Sequence, residues 1–325
     1  MQDNIITSYN FARKADIVFA ESTTVDQFKK LNLDNYTIFN KDSERILYRL
    51  NEISISENDV IFCHTDFIEH LFFLIEDVEF TNIKLLTNQT DTLINKKIFS
   101  MKPKCISQWF SVNVGYKNDN LIPIPLGLAN DYKKNLTFNE IKSKNQKKEN
   151  FLYLNFRENT SIKYRKNLYN FFQKYDWTIV KSPNLVNSQY SSDLNRYKFI
   201  LCPWGNGIDS HRIWEALYSG SIAVTEQHYT FNTFSSLPIY SYKSYKDLSM
   251  KDLLEFEKAS FNISKKQLDL HWWLNIINEN KIKNNMGKIR VHKDLSNKDI
   301  LLARKQVFQS RLKKIKYYLR KLQIF

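Results

Sequence analysis

Residues Phe199 to Glu226 read FILCPWGNGIDSHRIWEALYSGSIAVTE. Three of the chain's six glycines, Gly205, Gly207 and Gly220, fall in this stretch. An apolar run opens it and another closes it, so the spacing predicts strand, glycine turn, helix, strand. Asn206, Asp209, His211, Arg212 and Glu215 cluster at the turn and the start of the helix. Glycine lets backbone approach a ligand closely or take a positive φ. A helix opening directly after such a turn offers free N–H groups and its positive dipole end to an anion. Asp209 or Ser210 suits the N-cap and Gly220 the C′ position, which bounds a helix from about His211 to Tyr218. His211, Glu215 and Tyr218 then share one face. An arginine at 212 forks onto a phosphate, and a carboxylate at 215 accepts two hydroxyls of a ribose or sugar. A plain Arg212–Glu215 surface pair is the competing reading.

Outward from this stretch, short apolar runs alternate with helix-like segments. Asp16–Ala20, Asp59–Cys63, Ile83–Leu86 and Leu121–Ile124 read as buried strands, with helices at Val25–Leu31 and Phe67–Ile75. Phe151–Phe156, Trp177–Val180, Phe199–Cys202 and Ile222–Thr225 read as strands of a second set, with a helix at Ile162–Tyr175. Such alternation predicts an α/β protein with parallel sheets of βαβ units. Leu136–Asn150, LTFNEIKSKNQKKEN, is polar and lysine-rich and reads as a linker between two Rossmann-like domains. The expected division is 1–140, 141–260, and a helical extension over 261–325.

A second polar cluster follows the Phe151–Phe156 strand, in LNFRENTSIKYRK. Asn155 and Thr160 sit in the loop, and Arg165 lies about one and a half turns into the helix. Ligands of open α/β sheets bind beyond the carboxyl ends of the strands, so both clusters are expected to face one anionic group. A solvated loop with a basic helix face is the alternative. In the first half, strands end in IFCHTD and LLTNQTD. His64, Asp66 and Asp91 are therefore the candidates to remove a proton from an acceptor hydroxyl, against the plainer role of turn and cap residues.

Composition narrows the classes. The chain is 42% hydrophobic and 14% aromatic, enough for a sizeable core and against disorder. Its net charge of +14 is uneven: residues 1–140 hold 15 Lys and Arg against 19 Asp and Glu, and residues 141–325 hold 33 against 15. A basic half suits an anionic ligand, an anionic membrane surface or nucleic acid, or simply solubility. Cys63, Cys105 and Cys202 are widely spaced and odd in number, which argues against a disulfide framework or zinc site. No P-loop, dinucleotide fingerprint, nucleophile elbow, HExxH or DxD motif occurs, and no metal or cofactor is expected. MQDNIITSYNFARKAD has no signal-like apolar region and no run reaches membrane-spanning length, so a cytoplasmic location is expected. From Arg304 onward there are eight Lys and Arg and no acid. Phe308, Leu312, Ile315, Leu319 and Leu322 are spaced as one face of a basic amphipathic helix, suited to an anionic membrane or to packing on its own domain.

Tyr197–Ile222 resembles the donor-site motif of exostosin-type and related GT-B glycosyltransferases, roughly a strand followed by CPxGNGxDxHRxWEALxxGxIP. LNFRENTSIKYR is similar to the upstream strand–loop–helix of that family, and KLLTNQTD and NLIPIPLGLAND are similar to acceptor-side segments. The resemblance runs from about Asp59 to Ser241. It implies two Rossmann-like domains facing a cleft and a nucleotide-sugar held mainly by the second. Arg212 and Glu215 would contact diphosphate and ribose or sugar, with Gly205, Asn206 and Gly207 as the close-approach turn. Asn155, Thr160 and Arg165 would meet the phosphates. Ala223 replaces the family's usual proline, and the E-x7-E pair of many retaining enzymes is absent, which leans toward inversion. The expectation is a metal-independent hexosyl- or pentosyltransferase. Its partners would be a nucleotide-sugar and a saccharide or lipid-linked saccharide acceptor, in surface glycan synthesis at the inner membrane face, with no nucleic acid. The rivals are a non-catalytic saccharide-binding protein and a nucleic-acid-binding protein using the basic half.

Overall fold

The alternation of apolar runs is realised as two large sheets, with a small two-stranded ladder beside the first, joined by a shared core. A computed structural model describes residues 4–130, 136–142, 147–158, 160–260, 265–283 and 287–321. The strands are β1 (Ile17–Thr24), β2 (Tyr36–Lys41), β3 (Arg45–Leu50), β4 (Glu52–Ile55), β5 (Val60–His64), β6 (Ile83–Asn88), β7 (Ile106–Ser111) and β8 (Leu121–Pro123), then β9 (Glu149–Leu154), β10 (Thr178–Val180), β11 (Tyr197–Leu201), β12 (Ile222–Glu226), β13 (Ile239–Tyr242) and β14 (Ile289–His292). The α-helices are α1 (Ser8–Lys14), α2 (Val25–Lys29), α3 (Ile68–Ile75), α4 (Lys96–Phe99), α5 (Phe138–Ile141), α6 (Ile162–Phe172), α7 (Asn187–Arg196), α8 (His211–Tyr218), α9 (Met250–Ser260), α10 (Leu270–Ile277) and α11 (Ser296–Lys321).

The second sheet is parallel throughout, in the order β10-β9-β11-β12-β13. The first has seven strands in the order β2-β3-β1-β5-β6-β7-β8, and it is mixed rather than parallel. β1 and β5 to β8 run parallel, while β3 lies antiparallel between β1 and β2. The reason is a short turn: the Asp42 carboxylate accepts from the backbone N–H groups of Glu44 (2.8 Å) and Arg45 (2.7 Å), reversing the chain without a crossover helix. β2 and β3 alternate in burial and sit at the edge, where an antiparallel pair tolerates solvent on one face.

Expected strands and helices recur within a few residues of their predicted bounds, and α8 spans His211–Tyr218 as predicted. It buries Ile213, Trp214, Ala216 and Leu217. Gly220 (φ +77°) closes it: its N–H donates to Leu217 O (3.0 Å) and Ser221 N–H to Ala216 O (2.9 Å), a Schellman cap. The three cysteines are free and buried.

Two readings of the chain's organisation change. Leu136–Ile141 is not an open linker. Leu136 and Ile141 are buried, α5 packs on α7 and α8, and the Phe138 ring meets the Tyr218 ring edge-on at 5.5 Å. Lys148 Nζ donates to Leu194 O (2.6 Å) and Glu149 and Asn150 already belong to β9, while residues 143–146 lie outside the described residues. Nor do the segments after residue 261 form a separate extension. Leu270, Trp273 and Ile277 of α10 join a cluster that also holds Phe62, Leu86 and Phe110 of the first sheet and Tyr153, Ile200 and Trp214 of the second half. α10 packs on α1, β14 pairs antiparallel with β4, and Leu295 and Leu302 enter the core beneath the first sheet. The chain therefore leaves the first sheet, builds the second, and returns.

Candidate functional site

The strand order of the second sheet reverses between β9 and β11, because the chain moves from β9 outward to β10 and then to β11 on the other side. Open α/β sheets bind ligands at such a switch point. The two loops leaving these strands are the two polar clusters singled out in the sequence.

The loop after β11 folds into a turn closed by Gly205 N–H donating to Gly207 O (2.9 Å). Arg165 of α6 grips it from below. Its Nε donates to Trp204 O (3.0 Å), Nη2 to Pro203 O (3.2 Å) and Nη1 to Arg157 O (2.7 Å). Ser161 Oγ donates to Gly205 O (3.0 Å). Three buried polar atoms flank the turn without a partner among the described residues: Thr160 Oγ1, Trp204 Nε1 and Ser210 Oγ. Buried polar groups ordinarily find partners, so three orphans round one turn make it the candidate ligand contact.

Arg212 projects from the first turn of α8. Its Nη1 donates to Tyr190 Oη (2.7 Å), which in turn donates to Glu215 Oε2 (2.8 Å), and the guanidinium lies over the Tyr190 ring at 5.3 Å. Burial, and then the positive charge of Arg212, pull the Arg165 guanidinium down to about 10. The Arg212 charge thus disfavours the cationic form of Arg165, an effect that an anion beside them would offset.

Across the turn lies a cavity of about 510 Å³ between the two halves. Gly205, Asn206, Gly207, Asp209 and His211 line it from the second half, and Asn88, Asp91, Asn113 and Asn130 from the first. Asn113, in the left-handed region (φ +54°), holds the two walls together: its Oδ1 accepts from the N–H groups of Ile208 (2.8 Å) and Asp209 (2.9 Å). A side chain at 207 would meet it, since a Cβ there would lie 2.9 Å from Asn113 Nδ2 and 3.1 Å from Asp91 Oδ1. His211 Nδ1 donates to Gly127 O at 2.8 Å. A carbonyl can only accept, so the neutral ring keeps its lone pair on Nε2.

Asp209 is tied inward. Ser210 occupies the N-cap of α8, while the Asp209 carboxylate accepts from Leu126 N–H (2.9 Å) and Trp214 Nε1 (2.9 Å). Burial pushes its pKa from 3.8 to about 7. An acid that prefers its proton when folded binds more protons folded than unfolded. Its contribution to stability is full below pH 3.8 and is lost as pH rises through about 7. The melting temperature is expected to fall across this window, and Asp209→Asn to flatten the slope. An equally steep slope in the variant would assign the pH dependence elsewhere.

The cavity brings together Asp91 with Gly205, Asn206, Gly207, Asp209 and His211; the other expected residues lie elsewhere. Thr160, Arg165, Arg212 and Glu215 stand behind the turn, on the α6–α7 side. Asn155 is buried with its Nδ2 on Ser182 O (2.5 Å), tying the loop after β9 to the loop after β10. His64 is buried against Phe67, its Nδ1 accepts from Asp66 N–H at 3.4 Å, and burial lowers its pKa to about 4. Neither His64 nor Asp66 lines the cavity. Asn88, Asn113, Asn130 and Tyr190 were not singled out in the sequence. Asn88 and Asn113 carried only a weak local signal, a polar residue at or just past a strand end, which does not by itself mark function.

Among the described residues no group of three His, Cys, Asp or Glu is placed to hold a metal ion. No protein-family model matches the chain, and no curated protein matches it.

Proposed function

We propose that the chain is a GT-B glycosyltransferase that moves a sugar from a nucleotide-sugar to a saccharide hydroxyl. One observation carries the reading. A half-buried arginine pair, Arg165 and Arg212, stands beside a glycine turn at the switch point of a parallel sheet, and two proton acceptors lie round the same turn. The exostosin-like motif at Tyr197–Ile222 adds to it.

In this scheme the nucleotide lies over the β9 and β11 loops, its diphosphate near Arg212 and the unpartnered Thr160 hydroxyl. Glu215, oriented by Tyr190, accepts hydroxyls of the ribose or sugar. The acceptor oxygen forms a bond to the anomeric carbon as the carbon–oxygen bond to the diphosphate breaks. The bonding electron pair leaves on the diphosphate, where the arginines and the free N–H groups at the start of α8 meet the new charge. The acceptor proton passes to the Asp91 carboxylate or to His211 Nε2, both of which line the cavity. A single displacement of this kind inverts the anomeric centre.

Calorimetric titration with UDP, GDP, CDP and CMP tests the proposal. One nucleotide is expected to bind at micromolar concentration and the others about tenfold or more weakly. No heat with any of the four, together with salt-sensitive RNA binding, would replace this reading by the nucleic-acid one.

A further inference from the structure

We infer that α11 docks on a lipid surface bearing anionic headgroups. The base of the helix is fixed to the first sheet. Arg49 Nη1 donates to the Asp299 carboxylate at 2.6 Å, His70 Nε2 lies 3.1 Å from the same oxygen, and Leu295 and Leu302 are buried. Beyond Leu302 this packing stops. Val307, Phe308 and Ile315 are 52%, 62% and 53% exposed, and Leu312 is exposed as well. The side chain of Leu319, and Leu322 itself, lie outside the described residues.

The chemistry of the face selects its occupant. The apolar positions Phe308, Leu312 and Ile315 are spaced four and three apart, which would also suit a coiled coil with a second copy. From Arg304 onward, however, the chain has eight Lys and Arg and no acid. Two such helices side by side would bring together two runs of eight cations with no carboxylate among them to pair. Nucleic acid would match the charge and leave the apolar stripe in water. An anionic bilayer complements both: the stripe enters the acyl boundary and the lysines meet the headgroups. Arg304 and Arg311 line the same shallow groove as Ile300, Val307 and Phe308. Their long stems can lie along the apolar face while the guanidinium groups reach outward to phosphate. The inference rests on the helix alone and does not depend on glycosyl transfer.

Flotation of the full chain with phosphatidylcholine vesicles, with and without phosphatidylglycerol, tests it. The chain is expected to float only with the anionic vesicles and to be released by salt. Phe308→Ser with Ile315→Ser, and separately Lys305→Glu with Arg311→Glu, are each expected to weaken binding by about tenfold or more. All four positions are exposed, so the melting temperature should hold in both variants. Failure to float with anionic vesicles, or equal flotation with neutral ones, overturns the inference. So does a dimer that dissociates with Phe308→Ser in a chain that ignores vesicles, since the occupant would then be a second copy.

Discussion

Arg212→Ala is expected to bind the proposed nucleotide ligand roughly a hundredfold more weakly than the wild-type chain while melting at nearly the same temperature. The guanidinium makes one hydrogen bond among the described residues, to Tyr190 Oη, and that hydroxyl remains bonded to Glu215 when the arginine is gone. Little of the fold depends on it. The loss should fall on the anion, because the remaining cation, Arg165, already engages three backbone carbonyls and turns fewer N–H groups toward a ligand. Calorimetry on the tightest-binding nucleotide measures the effect. Unchanged affinity in a folded variant would move the phosphate away from α8 and sink the site assignment.

Gly127→Ala should have the largest effect on stability, roughly 3 kcal/mol or more. Gly127 sits at φ +75°, a conformation that L side chains resist, and a Cβ there would lie 2.1 Å from the backbone oxygen of Ile6. That oxygen cannot retreat freely, because it accepts from Leu128 N–H at 2.8 Å. The carbonyl of Gly127 also orients His211, so any shift that relieves the clash disturbs the cavity wall too. Urea denaturation should show a lower midpoint with an unchanged slope. A midpoint equal to that of the wild type would mean that the Ile6–Gly127 approach is looser than described.

The parts of the site that were legible in the sequence are those whose physics is local. The glycine turn, α8 and its cap at Gly220 follow from the sixteen consecutive residues 205–220, and each is where its spacing puts it. The Arg165 helix was equally readable, although the bonds from Arg165 to the carbonyls of Pro203 and Trp204 join residues almost forty apart and could not be read from spacing. Asn113 was invisible as a functional residue because its role depends on a partner on the other sheet. Tyr190 was missed for a similar reason: α7 is polar along much of its length, and nothing local says that one tyrosine turns inward. His64 was overvalued, since a strand end points at the cleft only if its side chain does, and here it turns into the packing around Phe67. The mixed character of the first sheet escaped because an antiparallel edge hairpin carries no signal of its own in a pattern dominated by buried strands.

The return of the chain through α10 has a mechanical meaning. The backbone passes between the two halves twice, once near α5 and once before α10, whose last residue, Ile277, accepts from Lys84 Nζ of β6 at 2.7 Å. Two connections, together with the core that both sheets share, hold the second sheet against the first more firmly than a single connection would. The second sheet is thus inserted between β8 and the β14 strand that pairs with β4, and exchanging it between chains would need two seams rather than one end-to-end joint.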